Sequence, residues 1–217
     1  MLIGVVTLPS VSLAASPNAE AKPASTEASA AVSTLHASAE LATWARRTRD
    51  PVALVAAAKL RLTVGVKEGL GRLAGSAKPS TRQPVDMFEA EVLLRDATVL
   101  ADGDKVLTAL IADVRSAQAR GVVSGPIRHR DEIRPQDTDN FKAVRFEAQR
   151  EAAVYIQGDG KTDLDLKVVD EFGNTVCEQT GYSDRELCRW TPRFEGEFTI
   201  HIVNNGHAGN IYWLVTN

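Results

Sequence analysis

Apolar and polar side chains alternate along most of the chain after Asn140. Leu164, Leu166 and Val168 fall on one face and Asp163, Asp165 and Lys167 on the other, the period-two pattern of a half-buried strand. Asp170 to Asn174 supplies turn chemistry, with Gly173 free to take a positive φ. Val144, Phe146 and Ala148 alternate. Ala152, Val154 and Ile156 do so less cleanly, ahead of Gly158-Asp159-Gly160. Further strands are predicted around Val176, over Leu187 to Trp190, over Phe198 to Ile202 and over Ile211 to Thr216, with Asn204-Asn205-Gly206 as a turn. So many short strands with little helical signal predict an antiparallel β-sandwich over 137–217.

The first half carries a different period. Val32, Leu35, Ala39 and Ala42 recur at helical spacing, widened by Leu41, Trp44 and Ala45. Asp50-Pro51 reads as a helix start, with Asp as N-cap and Pro in the first turn, followed by Val52, Val55, Ala56 and Leu60. A glycine series from Gly65 to Gly75 and the run Lys78-Pro79 to Pro84 then break the pattern. A second helical pair follows over Met87 to Val99 and from Asp104 to Ala117, closed by Arg120-Gly121. The class is therefore α+β: helical hairpins over 34–120, a linker at 121–136, then the sandwich. The hairpins form either a small bundle or a partner-binding repeat, and two units without a recurring signature favour the bundle.

Residues 1–15 have the apolar run and small-residue cleavage sites (Leu13-Ala14-Ala15) of an export signal, without a preceding basic residue. The reading that fits is a start lying inside a longer leader; the alternative is an uncleaved apolar end. Residues 16–33 are rich in Ala, Ser, Pro, Thr and Glu, which predicts a disordered tether. The only cysteines, Cys177 and Cys188, bracket a loop-like segment of the β region. A disulfide there fits an exported protein; two buried free thiols are the alternative. Formal net charge is −3, against a nucleic-acid partner, and no apolar run reaches the ~20 residues of a membrane span.

The order of three blocks resembles the bacterial pre-peptidase C-terminal domain family, a small jelly-roll-like sandwich appended to exported proteins. The blocks are Asp139-Asn140-Phe141 with Val144-Arg145-Phe146, then Thr162 to Val168 with Asp170 to Asn174, then Gly196 to Asn204 with Gly209 and Tyr212-Trp213-Leu214. The resemblance covers residues 137–217. It implies an accessory module and no particular substrate.

Chemistry is thinly signalled. Asp159, Asp163, Asp165, Asp170 and Asn174 are the best oxygen-ligand set, but Lys161 intrudes and the order is not that of an EF-hand, so the expectation is solvated acidic turns and no cofactor, with calcium as the alternative. His36, His129, His201 and His207 are scattered, and Gly-x-Ser-x-Gly, His-Glu-x-x-His and phosphate-loop motifs are absent from the sequence. Tyr212 and Trp213 lie on opposite faces of one strand, so one of them is a candidate binding aromatic or an inter-domain contact. The expectation is a periplasmic or secreted, non-catalytic module contacting an envelope or extracellular protein or polysaccharide. The alternatives are a hydrolase with its site at the domain interface and a purely structural envelope protein.

Overall fold

The computed structural model describes residues 16–19, 25–69, 88–117 and 125–217. The expected signal segment and the Lys78–Pro84 break lie outside the described residues. Among the described residues, four helices occupy the N-terminal part, α1 (Glu27–Thr48), α2 (Pro51–Leu62), α3 (Ala90–Ala101) and α4 (Lys105–Ala117), and nine strands accompany them. The strands are β1 (Lys67–Glu68), β2 (Ile127–Ile133), β3 (Thr138–Phe146), β4 (Ala152–Gln157), β5 (Leu164–Val169), β6 (Thr175–Gln179), β7 (Arg185–Trp190), β8 (Gly196–Asn204) and β9 (Asn210–Thr216).

The strands form two sheets, ordered β1-β2-β9-β4-β7 and β3-β8-β5-β6. Apart from the short parallel β1–β2 pair, every pairing is antiparallel. With β1 set aside, the chain alternates between two four-stranded sheets except at the β5–β6 hairpin, as in a jelly roll. Leu164, Leu166 and Val168 of β5 face Val154, Ile156, Tyr212 and Leu214 of the opposite sheet in one core. The outward residues of β5 meet solvent, which is why its alternation is clean in the sequence.

β4 and β9 are buried at every position because helices cover their outer face. Ala153, Tyr155, Ile211, Trp213 and Val215 point outward and meet Val32, Leu35 and Ala39 of α1, together with Phe88. Further along, α1 turns Ala42 and Ala45 into a helical core with Leu54 and Val55 of α2, Leu93 and Leu94 of α3, and Ile111 and Val114 of α4. Alanines along these faces let the helices approach closely, and the molecule stacks as helix, sheet, sheet. The Asp50 carboxylate caps α2 through the Ala53 N–H (3.0 Å), and Asp104 caps α4 through Val106 and Leu107 (2.8 and 3.0 Å). No helix among the described residues is long and apolar enough to cross a membrane.

Two expected boundaries move. The linker expected at 121–136 contains β2, which pairs with β9 from Ile127↔Thr216 to Ile133↔Asn210. Its charged side chains are accommodated at the sheet edge: Arg128 pairs with Glu68 and Glu89 and lies 4.9 Å from the centre of the Phe88 ring. The tether expected over 16–33 is helical from Glu27, capped by a Thr26–Ser29 box. Ser29 also donates to the buried Glu151 carboxylate (2.5 Å), itself paired with Arg189. Before the helix, Asn18 is fully buried against the sandwich.

Candidate functional site

The loops gather at two ends of the sandwich. One end holds the β4–β5, β6–β7 and β8–β9 connections; the other holds the 147–151, 170–174 and 191–195 loops. The five candidate calcium ligands are divided between them. Asp159, Asp163 and Asp165 lie at the start of β5 and Asp170 and Asn174 beyond its end, roughly 20 Å away for a strand rising ~3.3 Å per residue. Among the described residues no group of three potential ligands converges on a metal site. The set fails because one strand separates its halves.

At the first end, Asp159 pairs with Lys161 and Asp165 accepts from Asn205. Burial, then the neighbouring Asp165 and Asp184 charges, pushes the Asp163 carboxyl upward. Burial likewise raises Asp184, which accepts from the Gly160 N–H. Lys161, Asp163, Asp184 and the exposed Tyr182 line a shallow cleft of about 350 Å³.

The second end presents two phenyl rings. Phe172 is 58% exposed and Phe194 42% exposed, with centroids 6.3 Å apart. Beside them, Arg145, Glu171, Glu195, Gly196 and Glu197 line a cleft of about 430 Å³. Arg145 is neutralised by Glu197 (2.9 Å). Glu171 accepts from the Glu197 N–H (3.0 Å), which fixes one wall. A Cβ on Gly196 would stand 2.2 Å from the Glu171 carboxylate, so a larger residue there would make that side chain shift.

Each ring is carried by a loop that is internally tied. In the 170–174 turn, Asp170 Oδ1 accepts from the Phe172 and Asn174 N–H groups (3.0 and 2.8 Å), and Gly173 takes φ 83°. Asp170 Oδ2 accepts from Asn174 Nδ2 (3.1 Å) and the Asn18 N–H (2.9 Å). Gln149 secures the other loop: its backbone N–H donates to the Pro192 carbonyl and its side-chain Nε2 to the Arg193 carbonyl.

Desolvation pushes the Asp170 carboxyl up, but these four hydrogen bonds outweigh it and hold its pKa below the usual carboxylate range. Its stabilising contribution is therefore complete above the unfolded value of ~3.9 and is lost as pH falls through the lower folded value. In Asp170→Asn, an amide nitrogen at either oxygen position opposes N–H donors. The expected result is a loss of about 1–3 kcal/mol at pH 7. Thermal melts from pH 7 to 2 should show the difference from the parent chain narrowing below pH 4; a constant gap would contradict the assignment.

Tyr212 and Trp213, the aromatics expected to include a binding contact, are both buried. Tyr212 points into the sandwich and donates to Asp139 (2.7 Å), while Trp213 packs under the helices beside Phe88. Neither presents a surface ring, because both faces of β9 are covered. Tyr182 and Trp44 are exposed as well, but the exposed rings that meet each other, Phe172 and Phe194, were not singled out by pattern. The signal was present: a large apolar residue inside Asp-Glu-Phe-Gly-Asn belongs to a turn, where no core receives it. Of the histidines, His36 stands edge-on to Tyr155 (5.5 Å) with its pKa lowered by burial, and His201 bonds the Asn140 side chain.

Cys177 on β6 and Cys188 on β7 form a disulfide, with Cα atoms 5.8 Å apart, clasping the two sheets where their edges meet. The fold and these loops define a jelly-roll sandwich with a helical layer and a ring-bearing end.

No family model matches the chain, and no curated protein matches it. Several solved structures are similar over part of the chain. The pre-peptidase C-terminal domain of a Bacillus anthracis collagenase is 10% identical, covering 42% of this chain and 87% of its own, with a TM-score of 0.34. The Aeromonas hydrophila periplasmic inhibitor of g-type lysozyme is 10% identical over 42% of this chain and 84% of its own, with a TM-score of 0.31. TmCBM61, solved with β-1,4-galactotriose, is 20% identical over 41% of this chain and 66% of its own, with a TM-score of 0.24.

Proposed function

We propose that the chain is a non-catalytic binding module, acting in the periplasm or outside the cell, that holds a polysaccharide at the Phe172–Phe194 end. The observation that carries this reading is the exposed ring pair beside a carboxylate-lined cleft. Phenyl faces stack on the C–H face of a pyranose, and glutamates accept hydrogen bonds from its hydroxyls. The cleft volume falls within the ~300–1,000 Å³ of small-ligand sites. Glu171, Glu195 and Glu197 against one paired arginine favour neutral or amine-bearing sugars over acidic ones. The Cys177–Cys188 bridge supports a location outside the reducing cytoplasm.

The test is affinity electrophoresis in gels containing galactan, β-glucan, chitosan or polygalacturonate. Retardation is expected in at least one of the first three and not in the last. The Phe172→Ala/Phe194→Ala variant should bind at least ~10-fold more weakly, about 1.4 kcal/mol, with nearly unchanged Tm. Unretarded migration in every gel rejects the reading. Capture of an envelope protein that depends on both rings would replace the sugar with a protein ligand.

A further inference from the structure

We infer that Asn18 is a positioning residue for the phenylalanine pair, so that residues 16–19 complete the binding end. This rests on the reading of that pair as the ligand contact. Asn18 is 0% exposed although Ser16 and Pro17 before it are exposed. A tight turn, Ala19 N–H to Pro17 carbonyl at 2.8 Å, directs it inward, and Ala19 packs against the sandwich core.

The bonds of Asn18 join the two ring-bearing loops. Its backbone N–H donates to Asp170 Oδ2 (2.9 Å), in the turn that carries Phe172. Its Oδ1 accepts from the Arg193 and Phe194 N–H groups (2.9 and 3.3 Å), and its Nδ2 donates to the Phe194 carbonyl (3.1 Å). The peptide groups on both sides of Phe194 are thus held by one carboxamide, which sets the direction of the Phe194 Cα–Cβ bond. The same residue pins the Asp170 carboxylate, whose other oxygen holds the Phe172 N–H.

The seat is shaped for this side chain. A Cβ on Gly196 would stand 3.1 Å from Asn18 Nδ2, so the glycine opens the space the carboxamide fills. Buried amides with every polar atom bonded rigidify what they touch. The 6.3 Å ring spacing therefore depends on a residue about 150 positions away in sequence from the nearer loop.

The experiment compares the full chain with Asn18→Ala and Asn18→Asp, using selectively labelled phenylalanine. Nuclear Overhauser contacts are followed between Phe172 and Phe194, and between Phe146 and Trp190 in the core as an internal control (4.9 Å). Asn18→Ala should lose the Phe172–Phe194 contact, keep the core contact, and lower Tm by a few degrees. Asn18→Asp keeps the acceptor but sets a carboxylate oxygen against the Phe194 carbonyl and a second buried charge near Asp170, so it should retain at most part of the contact; it serves as the second variant if the alanine variant does not fold. A Phe172–Phe194 contact unchanged in either variant that folds overturns the inference.

The same variants are run in the galactan, β-glucan and chitosan gels. About tenfold weaker retardation accompanying the lost contact supports both readings. A lost contact with unchanged retardation leaves Asn18 as the ring-positioning residue and removes the rings from binding.

Discussion

Trp213→Ala is expected to lower the unfolding free energy by about 3–5 kcal/mol, a large part of the ~5–15 kcal/mol of a typical domain. The indole lies in the middle of β9, under α1 and 6.3 Å from the Phe88 ring. Removing it leaves a cavity between sheet and helices that neither layer closes without moving. Since α1 contributes both to this layer and to the helical core, the loss should be felt by both parts of the molecule. Helical circular dichroism and near-ultraviolet signals should fall together in one transition at lower Tm. Trp213→Phe, which keeps a ring in the space, should lose much less. Helices melting apart from an otherwise intact sandwich would show that the shared layer is not what unites them.

Opening the disulfide is expected to cost about 3 kcal/mol, the loop-closure value for a separation of 11 residues. The bridge joins an edge strand of each sheet, β6 and β7, which do not belong to the same hydrogen-bonded ladder. Cys188 is fully buried while Cys177 is half-buried, so a double alanine variant is the cleaner test: a serine hydroxyl at 188 would be buried in an apolar core. Urea titrations with and without reductant should give a lower midpoint for the reduced chain, matching that of Cys177→Ala/Cys188→Ala. Equal midpoints would mean that the sheets hold their edges without it.

The seven strands after Asn140 and the caps at Asp50 and Asp104 were legible because each is encoded locally, by alternation or by a capping side chain. β2 was not legible. Ile-Arg-His-Arg-Asp-Glu-Ile reads as a solvated run, and it becomes a strand only because β9 provides a ladder and Phe88, Glu68 and Glu89 receive Arg128. The N-terminal stretch was misread for a related reason. Alanine and serine signal disorder by composition, yet they suit a helix lying close against a sheet, and Ser29 meets Glu151 only in the folded chain. At the sites, aromatic character drew attention to Tyr212 and Trp213, but period two cannot tell a strand with one wet face from a strand covered on both. Phe172 and Phe194 are exposed because turns carry them, and their pairing is set by contacts distant in sequence.

The hydrogen bonds of Asn18 span 152 to 176 positions. A polypeptide emerging from the ribosome with its amino end first cannot form them until the loops at Asp170 and Phe194 have been made. Closing so long a loop is entropically costly, and contacts of that separation slow folding. Residues 16–19 are thus synthesised before the loops they join and are among the last to dock, and in a freshly made chain the ring-bearing end matures after the β-layers beneath it.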